Sequence, residues 1–225
     1  MRAGPTLLLA TLALTGCAIP VRTQIHVNAL ARAQVCCRSY ADFSYEPLVM
    51  DQERTVELGA RSPAFVFESG KSFFYAGRLP AYTGPLSITI DTYGSIGDAS
   101  ETAMLRPEVL LLDKDFTVQR RIAAEKFKRS SGANLTGSVF INEKNSDELY
   151  LVLYANSSPP AEGETVKRLS PTNLYLPGGV INVGGTEETV PLSASPGGAV
   201  KLTLQRYAPS SIHAPTATNG STSQR

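Results

Sequence analysis

The sequence predicts an all-β fold, an antiparallel β-sandwich with a jelly-roll-like layout. Apolar runs are short, Gly, Pro, Asn and Asp punctuate them at close intervals, and no long helical period appears anywhere in the 225 residues. Hydrophobic residues make up 42%, enough for a packed core, and charged residues only 18%, which argues against wholesale disorder.

The strands are read in chain order. Val56–Leu58 is a short strand. Ala64–Glu68 alternates and ends at the Ser69-Gly70 turn, and Ser72–Leu79 follows and stops at Pro80. Leu86–Thr92 has the cleanest alternation, with Leu86, Ile88 and Ile90 on one face and Ser87, Thr89 and Asp91 on the other, as a half-buried antiparallel strand requires. Glu108–Leu112 is apolar almost throughout, as a central strand would be. Asp113-Lys114-Asp115 makes a turn, and the chain returns at Phe116–Gln119. Ser138–Asn142, Leu149–Ala155 and Val200–Gln205 complete the set. Two segments break the pattern. Arg120–Arg129 is strongly basic and reads as a solvated surface loop. Residues 156–198, rich in Pro, Gly, Ser and Thr, read as a long loop.

The N-terminus is a targeting segment. Arg2 precedes a short apolar run, Thr6–Leu14, too short to cross a bilayer but of the length found in a secretory signal. Leu14-Thr15-Gly16-Cys17 then resembles a bacterial lipobox, with small residues before a cysteine that is lipidated and becomes the new N-terminus. The expected organisation is a signal peptide over 1–16, a lipidated tether over 17–35, a sandwich domain over 36–207 and a disordered Ser/Thr/Pro-rich tail over 208–225. Within the tether a short helix enters Cys36. Acyl chains such as palmitate on Cys17 supply the membrane attachment. Ala18 after the cysteine, in place of Asp, points to the outer membrane, so the body faces the periplasm.

Charge and cysteine usage narrow the function further. Lys plus Arg is 21 against 20 Asp plus Glu, and removal of Arg2 with the signal leaves the two balanced. A broadly polybasic nucleic-acid binder is excluded. With Cys17 lipidated, Cys36 and Cys37 stand side by side in an oxidising compartment. They form a vicinal disulfide, remain two buried thiols, or bridge to another chain. No Cys-x-x-Cys spacing exists, and two thiols with two distant histidines make a poor zinc ligand set, so no cofactor or metal is expected.

Catalytic motifs fail in turn. Gly70-Lys71-Ser72 resembles the end of a phosphate loop, but position 65, where such a loop needs glycine, is Phe. There is no Gly-x-Ser-x-Gly elbow. His26 and His213 fall in the expected tether and tail, far from any nucleophile, so no enzyme is expected. Carboxylates at strand ends, Asp91 with Asp98 and Asp113 with Asp115, read as turn residues whose side chains bind their own backbone. Sugar recognition on a sandwich uses exposed aromatic faces. There is no Trp, and of Tyr75, Tyr82, Tyr93, Tyr154 and Tyr175 the two nearest turns, Tyr82 and Tyr93, are the expected platforms, with Asp91 and Asp98 as polar partners.

Several motifs taken in order resemble one family. Cys36-Cys37-x-Ser39, Phe43-x-Tyr45-x-Pro47-Leu48, Phe67-x-Ser69-Gly70-x-Ser72-x-Phe74 with Leu79-Pro80, Pro107-x-Val109-x-Leu111-Leu112-Asp113-x-Asp115-Phe116 and Leu149-Tyr150-Leu151-Val152-Leu153 are similar to the maltose operon periplasmic protein family over about residues 35 to 207. The resemblance implies a periplasmic protein, in some members a lipoprotein, linked to maltose and maltodextrin uptake, and it brings no catalytic residues. The expectation is a non-enzymatic lipoprotein that supports carbohydrate transport by binding a porin, a transporter component or a glycan. The alternatives are a directly sugar-binding module and a structural envelope lipoprotein without a sugar role.

Overall fold

The computed structural model describes residues 22–96, 102–156 and 164–207. Helix α1 (Arg22–Arg32) comes first. The strands are β1 (Glu46–Pro47), β2 (Glu53–Leu58), β3 (Ala64–Phe67), β4 (Gly70–Arg78), β5 (Leu86–Tyr93), β6 (Ser95–Ile96), β7 (Thr102–Met104), β8 (Pro107–Leu112), β9 (Val118–Ile122), β10 (Lys128–Ser131), β11 (Asn134–Ile141), β12 (Tyr150–Ala155), β13 (Thr165–Leu176), β14 (Gly179–Ala194) and β15 (Gly198–Arg206). The all-β fold class holds, and every strand expected from sequence is present with its ends moved by a few residues.

Two sheets face each other. One runs β1-β4-β12-β8-β9, with β3 also on β4; the other runs β10-β11-β5-β15-β2. Their facing residues form the main core: Phe73, Val109, Leu111, Leu151 and Leu153 from the first sheet meet Ile88, Ile90, Val139, Val200 and Leu202 from the second. The alternation of β5 is realised as expected, with Leu86, Ile88 and Ile90 buried and Ser87, Thr89 and Asp91 half-buried on the outer face. A third sheet, β13-β14-β7-β6, contributes Val166, Val190 and Leu192 to the same core.

The first sheet is buried on both faces, which explains its uniformly apolar strands. Residues one step along from the main-core positions, Phe74, Ala76, Leu110, Leu112, Val152 and Tyr154, form a second core. It is covered by the chain after the helix and by β3: Phe43 stacks on Phe74 at 4.1 Å, and Phe67 lies flat on Tyr154 at 3.8 Å between ring centres. Cys37 packs against this layer. Of the three states open to Cys36 and Cys37, the structure has the direct bond between them, across a trans peptide with Cα atoms 3.8 Å apart. Cys36 N–H donates to Ala64 O at 2.9 Å, and Val35 bridges Ala64, so the pair sits where the chain joins the first sheet.

Three expectations are corrected. Residues 156–198 are not a long loop: β13 and β14 make a hairpin turning at Pro177-Gly178. The basic run 120–129 is not a solvated loop. Arg120 and Arg121 lie in edge strand β9 and reach buried acids, Arg120 to Glu148 at 2.6 Å and Arg121 to Glu108 at 2.8 Å, and Arg129 pairs with Glu164. The short helix expected in the tether is present as α1, and because it lays Ala29, Leu30 and Ala33 on the main core the folded body includes it and does not begin at Cys36. Cys17, Asp98, His213 and the 208–225 tail lie outside the described residues.

Candidate functional site

The site begins with how α1 meets the sandwich. Residues 26, 29, 30 and 33 recur at helical spacing and share one face, so the helix that packs the partly buried Ala29, Leu30 and Ala33 against the core also turns His26 inward. The His26 ring lies on the backbone of two glycines. A Cβ on Gly197 would stand 2.5 Å from His26 Nδ1 and 2.6 Å from Leu58 O, so only glycine admits the ring there. The next residue, Gly198, has φ +152°, a conformation that also asks for glycine. His26 is thus part of the folded body rather than of a tether, which corrects the expectation for it.

Beneath the helix is a cavity of about 280 Å³, lined by Thr23, His26, Glu57, Tyr93, Ser195 and the glycines around them. His26 and Glu57 also line a neighbouring cavity of about 300 Å³ on the Gly59–Ser62 side. Each polar wall residue has a structural origin. Glu57 is on the outer face of β2. Tyr93 ends β5 opposite Ala199, whose small side chain leaves the ring 44% exposed. Ser195 donates to Gly197 O at 2.6 Å, which fixes the turn into β15. Thr23 Oγ1 is buried and has no hydrogen-bond partner among the described residues, a group that a bound polar molecule would satisfy.

An aromatic ring, a carboxylate, an imidazole and a hydroxyl around one small cavity suit a neutral polyhydroxyl ligand. The apolar face of a sugar ring can stack on Tyr93 while its hydroxyls bond to Glu57, His26 and Thr23. Glycoside hydrolysis uses a pair of carboxylates across the bond; among the described residues lining the cavity, Glu57 is the one carboxylate.

The other residues singled out from sequence fall elsewhere. Asp91 is two residues before Tyr93 on the same outer face of β5, but it accepts a hydrogen bond from Thr136 Oγ1 at 2.6 Å and lies 3.7 Å from Lys201 Nζ, so it is committed within the sheet. Tyr82 packs against the main core before β5 begins. Tyr93 is at the far end of that strand, which spans about 23 Å from Leu86 at the usual rise per residue, and its ring is on the outer face rather than against the main core, so the two tyrosines do not form one platform. Asp113 accepts from the N–H groups of Asp115 and Thr117, both at 2.9 Å, and from Gln119, the turn geometry expected of it, and these bonds hold its carboxyl below the usual range, the Thr117 bond most. Among the described residues no group of three or more His, Cys, Asp or Glu could hold a metal ion, and no helix is long and apolar enough to cross a membrane.

A second polar cluster lies under the aromatic layer. Glu108, 2% exposed, accepts from Tyr154 at 2.5 Å, from Asn156 at 2.6 Å and from Arg121, which also reaches Glu68 at 2.6 Å. Burial alone would raise its carboxyl; the bonds from Tyr154, Arg121 and Asn156 outweigh burial and hold it below the usual range. Burial and the bond to Glu108 push the Tyr154 hydroxyl up, so it stays a donor. With its members bonded to one another, this cluster ties β8, β9 and β12 together. Compared with known proteins, the chain matches no family model, no curated protein and no solved structure.

Proposed function

We propose that this protein is a non-enzymatic lipoprotein of the outer membrane, held by acyl chains on Cys17 and facing the periplasm, that supports maltose and maltodextrin uptake by binding the glycan. The observation that carries the binding step is the cavity at Tyr93, where an exposed ring stands beside Glu57, His26 and a Thr23 hydroxyl that has no hydrogen-bond partner among the described residues. The Leu14-Thr15-Gly16-Cys17 motif supports the anchor, and only four residues separate Cys17 from the first helical residue, Arg22. The ordered motifs that resemble the maltose operon periplasmic proteins support the substrate class.

Two measurements test the reading. Calorimetric titration of the chain from Ala18 onward with maltose and a maltodextrin series should give saturable heat. Tyr93→Ala should weaken that binding about tenfold, the effect of losing roughly 1.4 kcal/mol of contact. Absence of heat across the series would reject direct binding of these sugars. For the anchor, Cys17→Ser should move the protein from the membrane to the soluble fraction, and an unchanged location would remove the lipid from the account.

A further inference from the structure

The β13–β14 hairpin has a use the cavity does not explain. Its base is embedded in the main core through Val166 and Val190, and β14 pairs with β7 only over Leu192–Ala194. Towards the turn, among the described strands, β13 and β14 pair with each other alone. No charged residue occurs from Leu169 to Thr186, in a chain that is 18% charged. At the tip, Tyr175, Leu176, Val180 and Ile181 are all between 46% and 77% exposed. Tyr175 and Val180 are cross-strand partners on one face, and Leu176 and Ile181 lie on the other.

Apolar side chains on both faces of a two-stranded ribbon are not the pattern of docking onto a flat surface, which would cover one face only. They gain neighbours on both faces at once when a further strand is added at an edge. The hydrocarbon of a bilayer is a poor host, because the ribbon's open edges would have no hydrogen-bond partners there. The two edges are not equivalent. That of β13 is interrupted at Pro171, two residues before its tip stretch Asn173–Leu176, by a residue that cannot donate to a new ladder, whereas β14 meets its first proline only at Pro191; both strands carry charges nearer the base, Lys167 and Arg168 on β13 and Glu187 and Glu188 on β14. That of β14 from Gly179 to Val183 has neither charge nor proline.

We propose that the edge of β14 over Gly179–Val183 pairs antiparallel with the same edge of a second copy of the chain, about a two-fold axis through Ile181. The added strand must be uncharged and β-forming and must have an open edge, and the chain's own segment Gly-Val-Ile-Asn-Val meets these needs. In this register Ile181 faces itself, Val180 faces Asn182, and the acidic pair Glu187-Glu188 lies beyond the paired stretch, so no like charges oppose each other. The apolar tips of both copies then pack around one axis.

The experiment uses the full-length chain in isolated membranes. Residues facing each other across an antiparallel pair have Cα atoms about 4.5–5.5 Å apart, within disulfide reach. Under mild oxidation Ile181→Cys should give a species of twice the chain's mass on a non-reducing gel. Val180→Cys and Asn182→Cys should cross-link to each other when co-expressed more than either does alone. Ile181→Lys, at an exposed position, should abolish the Val180–Asn182 cross-link while leaving the circular dichroism unchanged. A lack of the doubled species, a cross-link to a different protein, or a stronger cross-link from Lys167→Cys on β13 would each overturn the proposal. So would burial of the tip in lipid, read as a thiol at position 181 protected by the membrane in a chain that stays monomeric.

Discussion

Replacing Arg121 by Met is expected to cost about 2–4 kcal/mol of folding stability at neutral pH. Removing one partner of a fully buried ion pair typically costs 3–5 kcal/mol, because the other charge is left stranded. Here Glu108 is the stranded group, at 2% exposure, while the Arg121 side chain is 37% exposed and draws part of its solvation from water, which lowers the figure. The reciprocal change is milder. Glu108→Gln keeps the shape, removes the buried charge and still offers an acceptor to Tyr154, so about 1–2 kcal/mol is expected. The pH dependence separates this account from a packing loss. In the native protein the Glu108 carboxyl is held below its unfolded value, so its stabilisation is complete above the unfolded pKa and is lost as pH falls through the folded one. Without Arg121, its hydrogen bond and its charge no longer lower the carboxyl, and the folded value rises relative to that of the native protein. The variant's deficit is then greatest at neutral pH and shrinks as acid neutralises the carboxyl. Urea unfolding at pH 7 and pH 4 should show the gap between the two proteins narrowing at pH 4; a constant or widening gap would mean that Arg121 contributes packing alone.

The same cluster shows where sequence reading stops. The alternation in Leu86–Thr92 and the apolar run at Glu108–Leu112 located β5 and β8, because burial pattern is a local property of a strand. The basic run at Arg120–Arg129 was misjudged because its partners Glu108, Glu148 and Glu164 are remote or on other strands, and local charge density says nothing of them. The β13–β14 hairpin did carry a signal: Leu-Tyr-Leu before Pro177-Gly178 and Val-Ile after it are two β-forming runs around a turn. The surrounding Pro and Gly residues masked it, and they are tolerated because little else pairs along most of the ribbon. Of the cavity, Tyr93 was legible as an aromatic at a strand end. Thr23 and His26 were not, since they meet Tyr93 only after α1 has docked, nor was Glu57, which faces Tyr93 only because β2 and β5 both pair with β15 at Ala199, and Gly197 discloses its role only once the His26 ring lies on it.

Phe73→Ala and Phe74→Ala are expected to cost about 3–5 kcal/mol each. The two neighbours leave β4 in opposite directions, Phe73 into the main core and Phe74 into the second one, and both are buried. In a sandwich of two layers one of them would face water, and its loss would fall within about 0.5 kcal/mol. Equal costs therefore measure whether the segment around Phe43 covers the first sheet as a genuine third layer. A double-mutant cycle sharpens the question. Phe43 stacks on Phe74, so Phe43→Ala and Phe74→Ala remove one contact between them and should together cost less than the sum of their separate effects. Phe43→Ala with Phe73→Ala, acting on opposite faces of the sheet, should come closer to adding. If Phe74→Ala proved mild, or if the Phe43 pairings behaved alike, the second core would contribute little, and the chain between Cys37 and Tyr45 would be a loose strap over an outer face of the sandwich.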